Sequence, residues 1–175
     1  MPDAATSEST ISGIDDAATL RRAFTLYPRG VMAVAAQIDG RPVGLAVSAF
    51  VSVSLDPPLI LICLDNSSQT WPTLRLSPSI GVSVLAEEQA WLGRQLASRS
   101  RDRFADAVFR QTAGGGLLLE GSVAQLDCTL EQELPGGDHV MALLRVVGMS
   151  AESSVAPLVW HDSQFAGVGP LKPGE

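Results

Sequence analysis

The stretch SAFVSVSLDPPLILICLDNSS, residues 48–68, joins two kinds of strand pattern through a double proline. Apolar residues alternate with small or polar ones along RPVGLAVSAFVSVSL, residues 41–55, which predicts a strand with one apolar face. The apolar members of that alternation are Val43, Leu45, Val47, Ala49, Val51 and Val53. The unbroken run LILICL, residues 59–64, predicts a strand buried on both faces. Asp56-Pro57-Pro58 separates the two strands, because proline cannot donate to a ladder.

Upstream of this stretch, the pattern predicts one helix and one strand. DDAATLRRAFTLYPRG, residues 15–30, begins with acidic residues, has apolar residues at helical spacing and ends in Pro28 and Gly30, so it predicts an amphipathic helix. VMAVAAQI, residues 31–38, reads as a strand, and Asp39-Gly40 is a favoured two-residue hairpin turn. Strands 31–38 and 41–55 are therefore predicted to pair antiparallel.

Downstream, polar loops alternate with further strands and two helices. A short helix is predicted around Thr73, a core strand at IGVSVL, and a second helix at EEQAWLGRQLAS. SVAQLDCTLEQEL alternates, with Ala124, Leu126, Cys128 and Leu130 predicted inward and the intervening Gln125, Asp127, Thr129 and Glu131 outward. Residues 135–138 predict a hairpin turn to HVMALLRVVGMS, and PLVWH predicts a last short strand before a Gly/Pro tail.

At least six strands with interspersed short helices, and no regular strand-helix-strand alternation, predict a mainly β fold: an antiparallel, Greek-key-like sheet closed into a small barrel. We divide the 175 residues into a flexible segment, 1–13, one domain, 14–166, and a tail, 167–175. Hydrophobic residues make up 46% and charged residues 18%, which fits a globular chain.

Composition argues against several classes of partner. The formal net charge is −7, and cations are not clustered along a helix, so nucleic acid and anionic membranes are not expected partners. The N-terminal segment lacks the basic and apolar regions of a signal peptide, and we expect a cytoplasmic protein. Two cysteines in strand patterns, and two histidines far apart, predict no metal site.

Several motifs in one order resemble the flavin reductase family, the small partners of two-component flavin monooxygenases. They are LYPRGVMAV, DGRPVGLAVSAFVSVSLDPPLILICLDNSSQTW, IGVSVL, SRSRDRF, LEGSVAQLDCTLEQEL, PGGDHVM and PLVWHDSQF. The resemblance covers roughly residues 20–165 and implies the FMN-binding split-barrel fold. It also implies NAD(P)H-dependent reduction of FMN or FAD by hydride transfer. NADH is the expected donor, with a homodimer and a separate flavin-dependent monooxygenase as the expected partners.

The resemblance, with the chemistry of the side chains, assigns a cofactor-binding set. Small residues and strand-edge backbone suit a flat ring, whereas hydroxyls, amides, turn N–H groups and arginines suit a phosphate. For the ring we expect Leu45, Ala46, Val47, Ser48 and Ala49, and Ser52 also belongs to the cofactor-binding set. For the phosphoryl tail we expect Cys63, Leu64, Asp65, Asn66, Ser67, Ser68, Thr70, Ser98, Arg99 and Arg103.

Two histidines receive separate roles. In the family, the histidine of the Gly-Asp-His pattern lies near the nicotinamide and the flavin, which makes His139 the catalytic candidate, and His161 matches a segment that touches the nicotinamide nucleotide. Judged from the residues alone, each could equally be structural or exposed. Trp160 could stack on a ring or fill the core, and core is the preferred interpretation.

The chain departs from the family pattern at three positions. Many relatives carry Thr where Ala46 stands, a second Ser where Ala49 stands, and a small polar residue where Arg29 precedes Gly30. The missing hydroxyls leave room for a second hypothesis, a non-catalytic split barrel that holds flavin or haem as a carrier or sensor. A third hypothesis is a scaffold at a subunit interface, with a barrel that holds no ligand. Flavin-dependent NADH oxidation would favour the reductase.

Overall fold

The computed structural model of the chain describes residue 13, residues 16–100 and residues 102–169. Nearly all of the predicted flexible segment, 1–13, and most of the predicted tail, 167–175, lie outside these residues. Helix α1 spans Ala17–Thr25, as the pattern predicts. It begins at residue 17 because the Asp16 carboxylate accepts a hydrogen bond from the Thr19 N–H at 2.7 Å.

Seven strands form one antiparallel sheet, and shorter strands form two smaller sheets. The strands are β1 (Arg29–Gly30), β2 (Met32–Ile38), β3 (Arg41–Val47), β4 (Phe50–Leu55), β5 (Pro58–Asp65), β6 (Ile80–Val84), β7 (Phe109–Gln111), β8 (Leu117–Leu119), β9 (Ala124–Gly136), β10 (His139–Ala151), β11 (Leu158–His161) and β12 (Gln164–Gly167). The large sheet has the order β3-β2-β6-β9-β10-β5-β4, and the smaller ones are β1-β11-β12 and β7-β8. The predicted mainly β, antiparallel fold is confirmed.

The predicted turns and helices are also confirmed. Asp39 and Gly40, with φ of 49° and 73°, form the two-residue turn between β2 and β3. Helix α2 spans Trp71–Leu74, and helix α3, Ala90–Ala97, follows a 3₁₀ turn at Glu87–Gln89. Four strands were not predicted, namely β1, β7, β8 and β12, because two to four residues carry too little periodicity to be recognised in a sequence.

The prediction of one strand over residues 41–55 is wrong. The chain leaves β3 after Val47 and re-enters the sheet at Phe50, and β3 and β4 lie at opposite edges of the sheet. Val51 and Val53 are therefore about half exposed, at 53% and 49%, instead of continuing the apolar face of β3. The alternation could not reveal this crossing, because the period of two continues through it.

Burial also differs from prediction in two other strands. Strand β5 is predicted to be buried on both faces, but only Ile60, Ile62 and Leu64 are buried there, whereas the alternate residues of β2 enter two different core clusters. On β9, Gln125 is buried although predicted to point outward. Its side-chain amide is satisfied, because it donates to the Leu119 carbonyl and accepts from Arg110 Nη2 at 2.7 Å.

The large sheet curls around its main core. Val47 from β3 and Ile62 from β5 belong to the same buried cluster although their strands lie near opposite edges. Across the crossing, the Cys63 N–H donates to the Ala49 carbonyl at 3.1 Å. A second buried cluster lies between β2 and helix α3, and includes Leu92, Leu96 and Leu158. These two clusters hold the crossing and helix α3 next to each other.

Gly44 on β3 permits a close approach of the chain segment that follows helix α3. A Cβ at this position would lie 2.6 Å from the Val34 carbonyl oxygen and 2.7 Å from Cζ of Phe104. Phe104 is itself buried and packs edge-on against Phe109, with ring centroids 6.0 Å apart. Glycine is therefore sterically required at residue 44. The position of Arg103, the neighbour of Phe104, depends on this close approach.

We predict that Gly44→Ala lowers the free energy of unfolding by about 1–3 kcal/mol, the usual cost of overpacking. Urea unfolding followed by tryptophan fluorescence measures this change. Gly148→Ala is the matched control, because a Cβ there would meet only Asp127 Cβ, at 3.7 Å. That control should be neutral or stabilising, by up to about 1 kcal/mol. Equal stabilities of the two variants would contradict the packing argument.

Candidate functional site

A wide cavity, which we call the arginine groove, lies between the end of β3, the loop after β5 and the end of helix α3. Its volume is about 780 Å³. It brings together seven of the predicted site residues: Leu45, Ala46, Ser67, Ser68, Thr70, Arg99 and Arg103. Two guanidinium groups and three hydroxyls at one cavity form a donor set suited to a phosphate.

A narrower cavity, the apolar slot, adjoins the arginine groove. It has a volume of about 160 Å³ and is lined by Val31, Ala46, Val47, Ser48, Gly93, Ala97, Trp160 and Phe165. Trp160 and Phe165 meet edge to face, with ring centroids 5.0 Å apart, and the guanidinium carbon of Arg94 lies 5.1 Å from the centroid of Phe165. Small residues on one side and aromatic rings on the other suit a flat aromatic group.

A third cavity, the distal pocket, lies beyond Ser48 and has a volume of about 330 Å³. The predicted residues Ala49 and Cys63 line it, together with Arg29 and Gly30 from β1. Ala46 and Ala97 belong to both the arginine groove and the slot, and Ser48 belongs to both the slot and the distal pocket. The three cavities therefore adjoin one another in that order.

Arg103 is held at the arginine groove by its neighbours. Its Nη1 donates to the Gly44 carbonyl at 3.3 Å and to the Thr70 hydroxyl at 3.0 Å. These bonds leave most of the five guanidinium donors for another acceptor. The close packing at Gly44 thus fixes a cation at the groove, which links the fold to the site.

The loop after β5 is held in place by side-chain hydrogen bonds. The Ser67 N–H donates to Asp65 Oδ1 at 2.7 Å, and Asn66 Nδ2 donates to the Gly137 carbonyl at 3.1 Å. Hydrogen bonds from Ser67, with a smaller contribution from the nearby His139, lower the pKa of the Asp65 carboxyl below its ordinary value. The carboxylate form of Asp65 therefore supports the loop that presents Ser67 and Ser68.

His139 lies in a different cavity from the arginine groove. This histidine cavity has a volume of about 440 Å³, and Asp65, Asn66, Ser68 and His139 are the predicted site residues that line it. His139 Nδ1 is 2.7 Å from Asp138 Oδ1. Ser68 is shared between the histidine cavity and the arginine groove, so the loop after β5 separates the two.

Four predicted site residues line none of the cavities described above. Ser52 is exposed on β4, His161 is exposed on β11, and the Leu64 side chain is buried in the main core. The Ser98 hydroxyl donates to the Gln95 carbonyl at 2.7 Å and accepts from the Ser100 N–H at 3.1 Å. Ser98 therefore stabilises the end of helix α3 and the start of the segment that carries Arg99 and Arg103.

The two thiols differ in their surroundings. Cys63 is half-buried at the distal pocket, and burial raises the pKa of its thiol. Cys128 is fully buried, and burial with the nearby negative charge of Asp127 raises the pKa of its thiol to about 12. Both cysteines are therefore thiols at neutral pH and not nucleophilic thiolates.

Sequence reasoning missed several residues that line the slot, among them Gly93 and Phe165. Gly93 lies on helix α3, where a Cβ would come 3.2 Å from Cζ of Phe165. These residues are about 70 positions apart, so no local pattern joins them. Trp160, for which the sequence favours a core position, packs against the second core cluster and also lines the slot.

In the part of the chain that the structure describes, no group of three or more His, Cys, Asp or Glu residues is arranged to hold a metal ion. Likewise, none of the helices described is both long enough and apolar enough to cross a membrane.

Comparisons with known proteins agree on one family. The family described as "Flavin reductase like domain" matches residues 24–169. The actinorhodin polyketide dimerase of Streptomyces coelicolor is 38% identical over 152 residues, which cover 86% of each chain. The reductase subunit of a flavin-dependent monooxygenase of Rhodococcus jostii is 36% identical, with 90% of this chain and 80% of the relative covered.

Solved structures give the same result. The NADH:FAD oxidoreductase of Streptomyces globisporus, solved with NAD and FAD fragments, has a TM-score of 0.86 at 30% identity, over 94% of this chain and all of the other. Nitrilotriacetate monooxygenase component B of Mycobacterium thermoresistibile has a TM-score of 0.84 at 32% identity, over 90% and 89% of the two chains.

Proposed function

Because the chain belongs to the flavin reductase family, we propose that it transfers hydride from NADH to a flavin and supplies the reduced flavin to a partner monooxygenase. Relatives of this chain include proteins described as a flavin reductase and an NADH:FMN oxidoreductase. The observation that carries the proposal is that the arginine groove, the apolar slot and the distal pocket adjoin one another in that order.

The residues present fit a flavin. Its phosphate would be held by Arg99 and Arg103 with the hydroxyls of the loop after β5, since charged donors bind phosphate strongly. Its ring system would enter the apolar slot, where Ala46 and Ala97 leave room on one side. The hydroxyls that are missing at Ala46 and Ala49 are not among these phosphate donors.

The flavin and the nicotinamide supply the hydride chemistry when bound, so the chain's share is positioning. The slot residues would orient the ring and exclude water from its faces, and Ser48 would hold its polar edge. This scheme needs no obligatory side-chain base. His139 lies in the histidine cavity, and we propose that it lines the approach of the nicotinamide without transferring an essential proton.

We predict that purified protein oxidises NADH in air only when FMN or FAD is added, because flavin is a diffusible substrate in this scheme. The loss of NADH absorbance measures the rate.

We predict that His139→Ala slows this turnover only modestly. The decrease in rate should be well below the factor of about 10² to 10⁴ that loss of a general acid or base costs.

No turnover with either flavin and either nicotinamide nucleotide, in a folded protein that still binds flavin, would favour the carrier hypothesis. Complete loss of activity in His139→Ala, with fold and flavin binding intact, would overturn the positioning scheme. Ser153→Ala is the control, because Ser153 is exposed in the turn after β10 and lines none of the described cavities.

The same assay decides flavin preference. Beyond Arg103 lies another cavity of about 350 Å³, lined by Arg41, Pro42 and Phe104 among others, and it shares Thr70 and Arg103 with the arginine groove. This cavity offers space and charge for the AMP half of FAD. We therefore propose that both FMN and FAD are accepted, and the ratio of the two rates measures their order.

We predict that Arg99→Ala weakens FMN binding by about tenfold, because it removes a charged donor from the phosphate. Riboflavin binding should change by less than about twofold, since riboflavin has no phosphate to lose contact with. Quenching of flavin fluorescence measures both affinities. Arg21→Ala on helix α1 makes the same change in net charge away from the groove and serves as the control. Equal weakening of FMN and riboflavin would mean that Arg99 does not hold the phosphate.

We also propose that the protein forms a homodimer in the cytoplasm and releases its reduced flavin to the oxygenase by diffusion. Strand β4, at an edge of the large sheet, exposes Val51, Val53 and Leu55, the last at 96%. Exposed apolar side chains grouped on one strand are typical of an interaction surface. The partner that the family leads us to expect on this face of β4 is a second copy of the chain.

We predict that sedimentation of the wild-type protein gives a dimer and that Val53→Asp shifts it toward monomer, because a buried unpaired carboxylate is costly. Val108→Asp is the control, since Val108 is 63% exposed outside β4. A monomeric wild-type protein, or equal dissociation in both variants, would contradict this assignment of the interface.

A further inference from the structure

Arg29 occupies the end of the site opposite to Arg99 and Arg103. Its backbone pairs with Trp160 in the three-stranded sheet, and the residue lines the distal pocket beside Ser48 and Ala49. Ser48 also lines the apolar slot. Arg29 is therefore separated from the slot only by residues at the crossing between β3 and β4.

The Arg29 guanidinium has an unsatisfied donor. Within the described residues, its Nε is buried and has no hydrogen-bond partner, and none of the ion pairs found there involves Arg29. A buried, charged N–H without an acceptor is costly, so it is expected to receive an acceptor from elsewhere. Arg29 as a whole is half-buried and lines the distal pocket, so a group that enters this pocket can accept from its guanidinium.

The polarity of the cavities orients a bound flavin ring. One side of the slot is apolar and aromatic, with Val31, Trp160 and Phe165, whereas the distal pocket offers a cation and the backbone of the crossing. The dimethylbenzene end of the ring suits the first environment, and the pyrimidine end, with its adjacent N1 and C2 carbonyl, suits the second. A planar guanidinium matches two neighbouring acceptors.

We propose that Arg29 binds the N1 and C2-carbonyl edge of the flavin and holds the reduced, anionic form more tightly than the oxidised form. The inference rests on the proposed function, because it requires the ring to lie in the slot. Reduction adds negative charge at this edge, so the interaction with Arg29 strengthens when the product forms. Arg29 is thus a positioning and charge-stabilising residue for the reduced flavin.

Equilibrium binding of oxidised FMN and of dithionite-reduced FMN, measured without oxygen, tests this assignment. We expect Arg29→Gln to weaken binding of reduced FMN about tenfold more than that of oxidised FMN. For a two-electron couple, that ratio lowers the midpoint potential of bound FMN by about 30 mV. Arg29→Lys keeps the charge and some donors, so it should restore part of the preference for reduced over oxidised FMN. This second variant also keeps the test valid if Arg29→Gln fails to fold.

Arg22→Gln on helix α1 is the matched control, since it makes the same change in net charge at an exposed position. Equal weakening of oxidised and reduced FMN in Arg29→Gln, or no change in either, would overturn the assignment. Weaker NADH binding with an unchanged potential would instead assign Arg29 to the nicotinamide nucleotide and overturn it too. A wild-type protein that binds no flavin would overturn the proposed function itself.

Discussion

The crossing at Ser48 and Ala49 is the constraint on which the site depends. Strands β3 and β4 are consecutive in the chain but lie at opposite edges of the seven-stranded sheet, so the sheet must curl for two intervening residues to join them. Small side chains suit this position because helix α3 and β1 approach it from either side. The slot and the distal pocket meet there, at Ser48. Ser48, the first of the small hydroxylated residues before the double proline, therefore lies both where the barrel closes and where the two cavities meet.

Packing and polar bonds then convert the closed sheet into an ordered site. Gly44 lets Phe104 pack onto β3, and the neighbouring Arg103 donates back to the Gly44 carbonyl and to Thr70. Buried packing on one side thus positions a charged donor on the other, which is how a rigid scaffold reduces the cost of ordering a binding side chain. The loop that carries Ser67 and Ser68 is fixed similarly, through Asp65.

Local patterns predicted most of the strands, both turns and all three α-helices, because each depends on a short period or a few turn residues. The crossing was missed because Val47 and Ala49 continue the alternation that it interrupts. Most of the predicted site residues between 45 and 70, and also Arg99 and Arg103, line adjoining cavities, whereas Ser52, Leu64 and Ser98 do not. The arrangement of Gly93, Phe165 and Arg29 could not be predicted, since it arises from tertiary packing between elements distant in sequence.

The arginines at the site attract anionic ligands, whereas the net charge of the whole chain repels them. The chain carries a formal net charge of −7, and FMN and NADH are anions, so the average field of the protein disfavours both ligands. Arg99 and Arg103 at one end of the site, and Arg29 at the other, oppose that field along the adjoining cavities. An anion that leaves them meets repulsion from the rest of the surface, screened within about 10 Å at moderate ionic strength. Local cations therefore favour binding at the site, while the net charge favours departure of the reduced flavin once it has left the groove.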